Sequence, residues 1–203
     1  MIAIINYGLG NLTSILNMFR RIGADAVITS DPAEIAAADK LLLPGVGHFK
    51  TGMETLRSSG LVDVLEKEVF EKKKPILGIC LGAQLMTKHS EEGDVAGLGW
   101  VDARTRKFDA SRLSELKIPH MAWSDVSFVD SNPLWTDLPA DPRFYHVHSY
   151  HFDFEDSADV SATARYGYDF VTAFHRGNIY GTQFHPEKSH KFGMKVLENF
   201  AKL

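Results

Sequence analysis

The feature that most constrains this chain is the rhythm of its first half. Short apolar runs alternate there with helix-patterned segments, the mark of βαβ units and a mostly parallel sheet. Ile2 to Ile5 reads as a buried strand, and after the loop Asn6-Tyr7-Gly8-Leu9-Gly10 the apolar residues Leu12, Ile15, Leu16, Phe19 and Ile22 fall at helical spacing. Asn11 stands at the expected N-cap and Gly23 where a helix end turns left-handed. Ala26 to Thr29 is a second strand, Asp31-Pro32 opens a short helix, and Lys40 to Leu43 is a third strand stopped by Pro44-Gly45-Val46-Gly47. Helices are expected over 49–57 and 61–73. A buried strand, Ile76 to Ile79, then runs through Cys80-Leu81-Gly82 into a helix expected over 83–88.

The second half changes character. Trp100 to Phe108, Ser124 to Val129, Phe144 to Tyr150, Val160 to Tyr166, Phe170 to His175 and Ile179 to Phe184 are strand-like runs between Gly, Pro, Asn and Asp turns. A last helix, Ser189 to Lys202, carries Phe192, Val196, Leu197 and Phe200 on one stripe. The expected architecture is a three-layer α/β domain whose central sheet gains antiparallel strands at one side. At 203 residues it is expected to be one domain, residues 1–203.

Charge and cysteine content remove several classes of function. A formal charge of −4 gives no electrostatic footprint for gripping a phosphate backbone, so nucleic acid is not an expected partner. One cysteine excludes an internal disulfide framework and suggests a cytoplasmic protein whose thiol matters as a reagent. The opening apolar run breaks at Asn6, far short of a membrane span, and no longer run follows.

Gly78-Ile79-Cys80-Leu81-Gly82 has the form G-x-C-x-G at a strand-to-helix turn, the thiol counterpart of a nucleophile elbow. Glycines two positions either side let the backbone turn sharply, and the N-terminus of the following helix favours thiolate over thiol. The alternative is a small buried cysteine between packing glycines. A thiolate needs a base, and a base needs an orienter; Gln183-Phe184-His185-Pro186-Glu187 supplies both. If this segment is extended, His185 and Glu187 share a face, so Glu187 can take the Nδ1 proton and leave Nε2 for sulfur. The Pro44–Gly47 loop closes a strand at the carboxyl edge of the sheet, where ligands bind. Its N–H groups, with that of Leu81, are candidates for an oxyanion hole, although an ordinary turn reads the same way.

His146, His148 and His151 invite a metal reading. His151 has the opposite strand parity, and no acidic or cysteine ligand stands at a metal-site spacing, so no metal is expected and His148-Ser149-Tyr150 reads as a pocket wall. His120 carries no usable pattern. No G-x-x-x-x-G-K-[ST] loop is present, and no cofactor is expected.

Three motifs in this order, PGVG at 44–47, GICLGAQL at 78–85 and QFHPEKS at 183–189, resemble the triad-type (class I) glutamine amidotransferases. Within that group INYGLGN at 5–11, SEEG at 90–93, GLGW at 97–100, PHMAW at 119–123 and HSY at 148–150 look like the glutaminase subunits of imidazole glycerol phosphate synthases. The similarity spans essentially the whole chain. It implies a flavodoxin-like fold, hydrolysis of L-glutamine to glutamate and ammonia through a cysteine thioester, and a heterodimer with a (β/α)₈-barrel cyclase that takes the ammonia. Carried over by residue, it implies Cys80 as nucleophile, His185 as acid and base, and Glu187 as orienter. Val46, Gly47 and Leu81 would form the oxyanion hole, while Gly45, Gly47, Gln84, Glu92, Ser149 and Tyr150 would hold glutamine. Tyr7, Asn11, Trp123 and Lys188 would face the partner. Met121-Ala122-Trp123-Ser124 departs from the family's Met-Gly-Trp-Asn, which leaves the triad alone and bears on the acceptor. The rival readings are a paralogous ammonia donor in surface-polysaccharide synthesis, a stand-alone hydrolase of γ-glutamyl compounds, and a non-catalytic regulatory subunit.

Overall fold

The computed structural model describes residues 1–129 and 131–203. Its first half keeps the expected rhythm: β1 (Ile2–Ile5), α1 (Leu12–Arg21), β2 (Ala26–Thr29), α2 (Pro32–Ala37), β3 (Lys40–Leu43), α3 (Phe49–Ser58), α4 (Val62–Glu66), β4 (Ile76–Ile79) and α5 (Leu81–Leu85). These strands match their expected bounds because each is a short β-rich run closed by polar residues, Gly or Pro. Asp31 caps α2 by accepting the Ala33 N–H, and Gly23 turns the chain after α1 at φ +73°. Asn11 occupies the N-cap of α1, but its side chain makes no capping bond. The helix expected over 61–73 is α4 followed by a π-helical turn at Lys67–Glu71. The helix expected over 83–88 begins at Leu81 and ends at Leu85, because the elbow itself is the helix N-terminus.

The second half comprises β5 (His89–Ser90), β6 (Val95–Ala96), β7 (Ala103–Lys107), β8 (His120–Phe128), β9 (Arg143–His148), β10 (Tyr150–Phe154), β11 (Val160–Tyr166), β12 (Tyr168–Arg176), β13 (Ile179–Thr182) and α6 (His190–Lys202). The run Phe144 to Tyr150 is thus two strands, broken at Ser149. The strand expected from Trp100 starts at Ala103, and β8 starts at His120 rather than Ser124. β5 and β6 are two residues each, too short to leave a periodicity in the sequence.

The strands join in the order β2-β1-β3-β4-β13-β12-β10-β7-β5-β6, with β11 branching from β12 and leading through β8 to β9. The pairs from β2 to β13 are parallel, and β12 onward is mostly antiparallel. Strand parity then sorts the core into two layers. Ala3, Ile5, Leu41, Leu43 and Ile76 point to the face covered by α2 to α5, whereas Ile2, Ile4, Leu42, Leu77 and Ile79 point to the face covered by α1 and α6. Helix α6 turns Val196, Leu197 and Phe200 inward as its stripe requires, with Phe192 only partly buried. The second layer also holds the β8–β9 ribbon, anchored where Phe144 stacks on Phe184 at 4.0 Å between ring centroids. This places β9 against the carboxyl ends of β4 and β13, where the motifs lie.

Phe19 is fully buried between α1 and the sheet. Phe19→Ala is expected to lower unfolding free energy by about 3–5 kcal/mol, measured by urea denaturation.

Candidate active site

Cys80 closes β4 in a backbone conformation few non-glycine residues adopt, φ +53° and ψ −113°. That turn lifts the side chain off the sheet and starts α5 at the next residue. The flanking glycines are required by space. A Cβ on Gly78 would come within 2.6 Å of the Ala83 Cα, and one on Gly82 would run into the Leu43 carbonyl. A Cβ on Gly45 would lie 2.6 Å from the Gly82 nitrogen and 2.7 Å from the Tyr7 hydroxyl, so the 44–47 loop presses directly on the elbow. Gly47 meets no such crowding; its φ of +112° is what excludes a side chain. Leu81 is the first residue of α5, so its N–H has no acceptor inside the helix.

His185 reaches the elbow from the end of β13. Its N–H donates to the Tyr145 carbonyl at 3.0 Å, and its own carbonyl accepts the Ser189 hydroxyl at 2.6 Å. The Tyr145 N–H in turn donates to that hydroxyl at 3.0 Å. The segment is not extended throughout, as the face-sharing argument supposed: Pro186–Lys188 is a 3₁₀ turn with Pro at its first position. The turn still brings Glu187 Oε1 within 2.8 Å of His185 Nδ1, with both side chains about 1% exposed. Nε2 is buried and has no hydrogen-bond partner among the described residues. Burial works against charge on this ring, but the adjacent Cys80 sulfur and then Glu187 outweigh it and push the imidazole up to about 10.

A cleft of about 620 Å³ opens over Cys80 and His185. Val46, Gly47, Leu81, Gln84, Glu92, Ser149 and Tyr150 line it, as do Asn11 and Lys188. Glu92 also accepts the Phe49 N–H at 2.7 Å, which ties the start of α3 to the cleft rim. Gly45 lies behind this wall, packed on the elbow. Of the residues expected toward a partner, Tyr7 departs from that reading. It is buried, and its hydroxyl donates to the Pro44 carbonyl at 2.8 Å, so it supports the loop from below. Trp123 stacks on His190 at 5.3 Å, apart from the cleft, and Lys188 is exposed over the Tyr145 ring.

One residue of the site escaped the sequence reading. Gln183 is fully buried and donates its amide to Cys80 Sγ at 3.7 Å, while its Oε1 accepts from Gln84 at 3.0 Å. Gln84 donates a second bond to the Tyr150 carbonyl at 3.3 Å. The available signal was parity: residues 183 and 185 lie two apart at a strand end and share a face.

The geometry has counterparts among known proteins. The family profile for glutamine amidotransferase class-I matches residues 3–203. The chain belongs to the class-I glutamine amidotransferase family. This amidotransferase is 53% identical over 202 residues to the imidazole glycerol phosphate synthase subunit HisH 2 of Methanococcus maripaludis, covering 100% of the chain and 99% of that protein. It is 47% identical to the protein of the same name from Pseudomonas aeruginosa, with 100% of both chains covered. Among solved structures, PurLQS from Thermotoga maritima superposes with a TM-score of 0.74 at 16% identity, covering 99% of this chain and 97% of that one. The glutaminase domain of Trypanosoma brucei CTPS, with bound acivicin, gives 0.67 at 18%, covering 99% and 93%. At such identities these two matches speak for the fold alone, a mixed sheet with a mostly parallel centre.

Two outcomes test the electrostatics. Because the sulfur is the leading influence raising the His185 imidazole, Cys80→Ala should lower its titration midpoint from about 10, followed by NMR of the ring. Gln183→Met, which keeps the volume and removes the donor, should cut glutamine turnover roughly 10-fold or more with little change in KM.

Proposed function

We propose that this chain is the glutaminase subunit of an imidazole glycerol phosphate synthase in histidine biosynthesis. The observation that carries the reading is the elbow cysteine facing an imidazole whose far nitrogen is held by a buried carboxylate. In this reading Cys80 Sγ attacks the side-chain amide carbon of L-glutamine, and His185 gives its Nε2 proton to the departing ammonia. A γ-glutamyl thioester remains, which a water deprotonated by His185 hydrolyses to glutamate. Glu187 holds the ring so that Nε2 serves sulfur and water alike. Leu81 N–H and the Val46–Gly47 peptide would stabilise the tetrahedral oxyanion, a contribution of about 2.7–4 kcal/mol per donor in such reactions. Gln84, Glu92, Ser149 and Tyr150 surround the place for the substrate, with Gly45 keeping the loop close to the elbow.

Ammonia reacts as a nucleophile only while unprotonated, which favours direct passage to a (β/α)₈-barrel cyclase bound as a heterodimer. Asn11 and Lys188 at the cleft mouth, with Trp123 beyond it, are the surface offered to that partner. Gly47 permits the 46–47 peptide to rotate, so partner and acceptor binding would switch the oxyanion hole on by ordering the loop. Among the described residues no helix is long and apolar enough to cross a membrane; a cytoplasmic location is part of the proposal.

A second acceptor is favoured by one observation, Ala122 and Ser124 in the stretch where the family has Gly and Asn. There the same ammonia would serve a surface-sugar amidation enzyme.

The test is glutamate release by purified protein, alone and with a cyclase barrel plus its phosphoribosyl nucleotide substrate. Strong stimulation is expected; a free subunit as fast as the complex would end the partner-gated reading, and a slow rate that no barrel changes would move the acceptor. Cys80→Ala should abolish glutamine-dependent synthesis and spare synthesis from ammonium salt. Loss of both would make the cysteine structural.

A further inference from the structure

Behind the His148 wall of the cleft lies a group of side chains that the glutaminase chemistry does not use. In the antiparallel β8–β9 ribbon His120 stands directly opposite His148, and His146 lies two residues from His148 on the same face. All three are buried, and each offers a ring nitrogen within 4.8 Å of the others'. We propose that His120, His146 and His148 form a binding site for a divalent transition-metal ion of the imidazole-preferring kind, Zn²⁺ in the first instance.

The hydrogen bonds fix which nitrogens are available. A carbonyl only accepts, so the 2.7 Å contact of His148 Nδ1 with the Tyr150 carbonyl places the proton on Nδ1 and a lone pair on Nε2. That lone pair takes the His146 Nδ1 proton at 3.0 Å, which leaves His146 Nε2 bare. His146 Nε2 and His120 Nδ1 are both buried without a hydrogen-bond partner among the described residues. Two bare ring nitrogens in an interior are an unusual expense, since each forgoes its hydration for nothing. Coordination would occupy them. The outer bonds also have the form that metal-binding histidines use, His148 backed by a carbonyl and His120 Nε2 by the Ser124 hydroxyl at 2.9 Å.

Burial disfavours the protonated form of all three rings. Burial lowers His120 to about 4 and holds His146 and His148 well below the ordinary histidine value. The all-imidazole donor set points to zinc and its neighbours rather than to calcium or magnesium, which take oxygen. Three neutral ligands leave a tetrahedral ion one position open and its charge intact, so a small anion, hydroxide or chloride, would complete it. His120 and His146 now stack with their planes 16° apart and His146 Nδ1 occupies the His148 Nε2 lone pair, so the His146 ring must turn about its Cβ–Cγ bond and release His148 Nε2 as the ion enters. His148 lines the cleft and provides the route.

The experiment uses the Cys80→Ala chain, so that the active-site thiol cannot bind metal. Zinc is titrated against a chromophoric chelator, and Co²⁺ absorption reports coordination. We expect one equivalent per chain with Kd on the order of 1 µM or below. At free zinc of 100 Kd, Tm should rise by roughly 5–10 °C. His146→Phe, which suits the neighbouring Phe170 and Phe184 rings, and His120→Asn should each weaken binding by about 10–100-fold or more, while His89→Gln at a distant, partly exposed site should not. Absence of saturable binding, or binding that survives both substitutions, overturns the proposal. Circular dichroism of the two variants without metal separates lost ligation from lost fold.

Discussion

Everything at this site depends on two backbones meeting side by side. The 44–47 loop after β3 and the elbow after β4 lie so close that neither Gly45 nor Gly82 has room for a single carbon more. The contact sets where the elbow thiol stands relative to the loop peptides, and it is made by atoms every residue has, which lack rotamers to relax. Precision at the reacting centre therefore rests on backbone packing, braced from beneath by the Tyr7 hydroxyl on Pro44.

The second half of the chain then delivers the imidazole that faces the elbow. His185 belongs to no element at its own position; it is held by β9 on one side and by the Ser189 hydroxyl on the other. Its proton affinity is likewise borrowed, since burial alone would discharge the ring and only the sulfur and carboxylate on either side hold the charge. Gln183 adds an amide that donates to the sulfur. Cysteine, histidine, glutamate and glutamine thus act as one polar cluster inside an apolar wall, in which each group is the reason another is charged or oriented.

How much of this was legible in the sequence follows from how local each signal is. β1 to β4 could be bounded to the residue because each is a short β-rich run closed by polar residues, Gly or Pro. The elbow and the His185–Glu187 pair could be named because their partners are two residues apart. What the letters concealed is cross-strand: Tyr7 under the loop, Gln183 between Gln84 and Cys80, and His120 opposite His148. Such pairings are set by register, and β8 and β9 are too far apart in the sequence for a turn motif to signal it. The 3₁₀ turn at Pro186 was hidden for another reason, since the proline that suggested stiffness is compatible with either geometry.

The interruption at Ser149 gives the cleft an unusual wall. Among the described residues β9 pairs with β8 alone, whereas β10, one residue later, is stitched into the main sheet through β7 and β12. His148, Ser149 and Tyr150, which line the cleft, therefore straddle the step from the β8–β9 ribbon, which joins the sheet through β11, to β10, which joins it through β7 and β12. The ribbon's far strand carries Met121, 60% exposed, and Trp123, so the strand paired with the His148 end of the cleft wall turns apolar side chains outward. One wall of the cleft over Cys80 is thus shared between the outer ribbon and the main sheet.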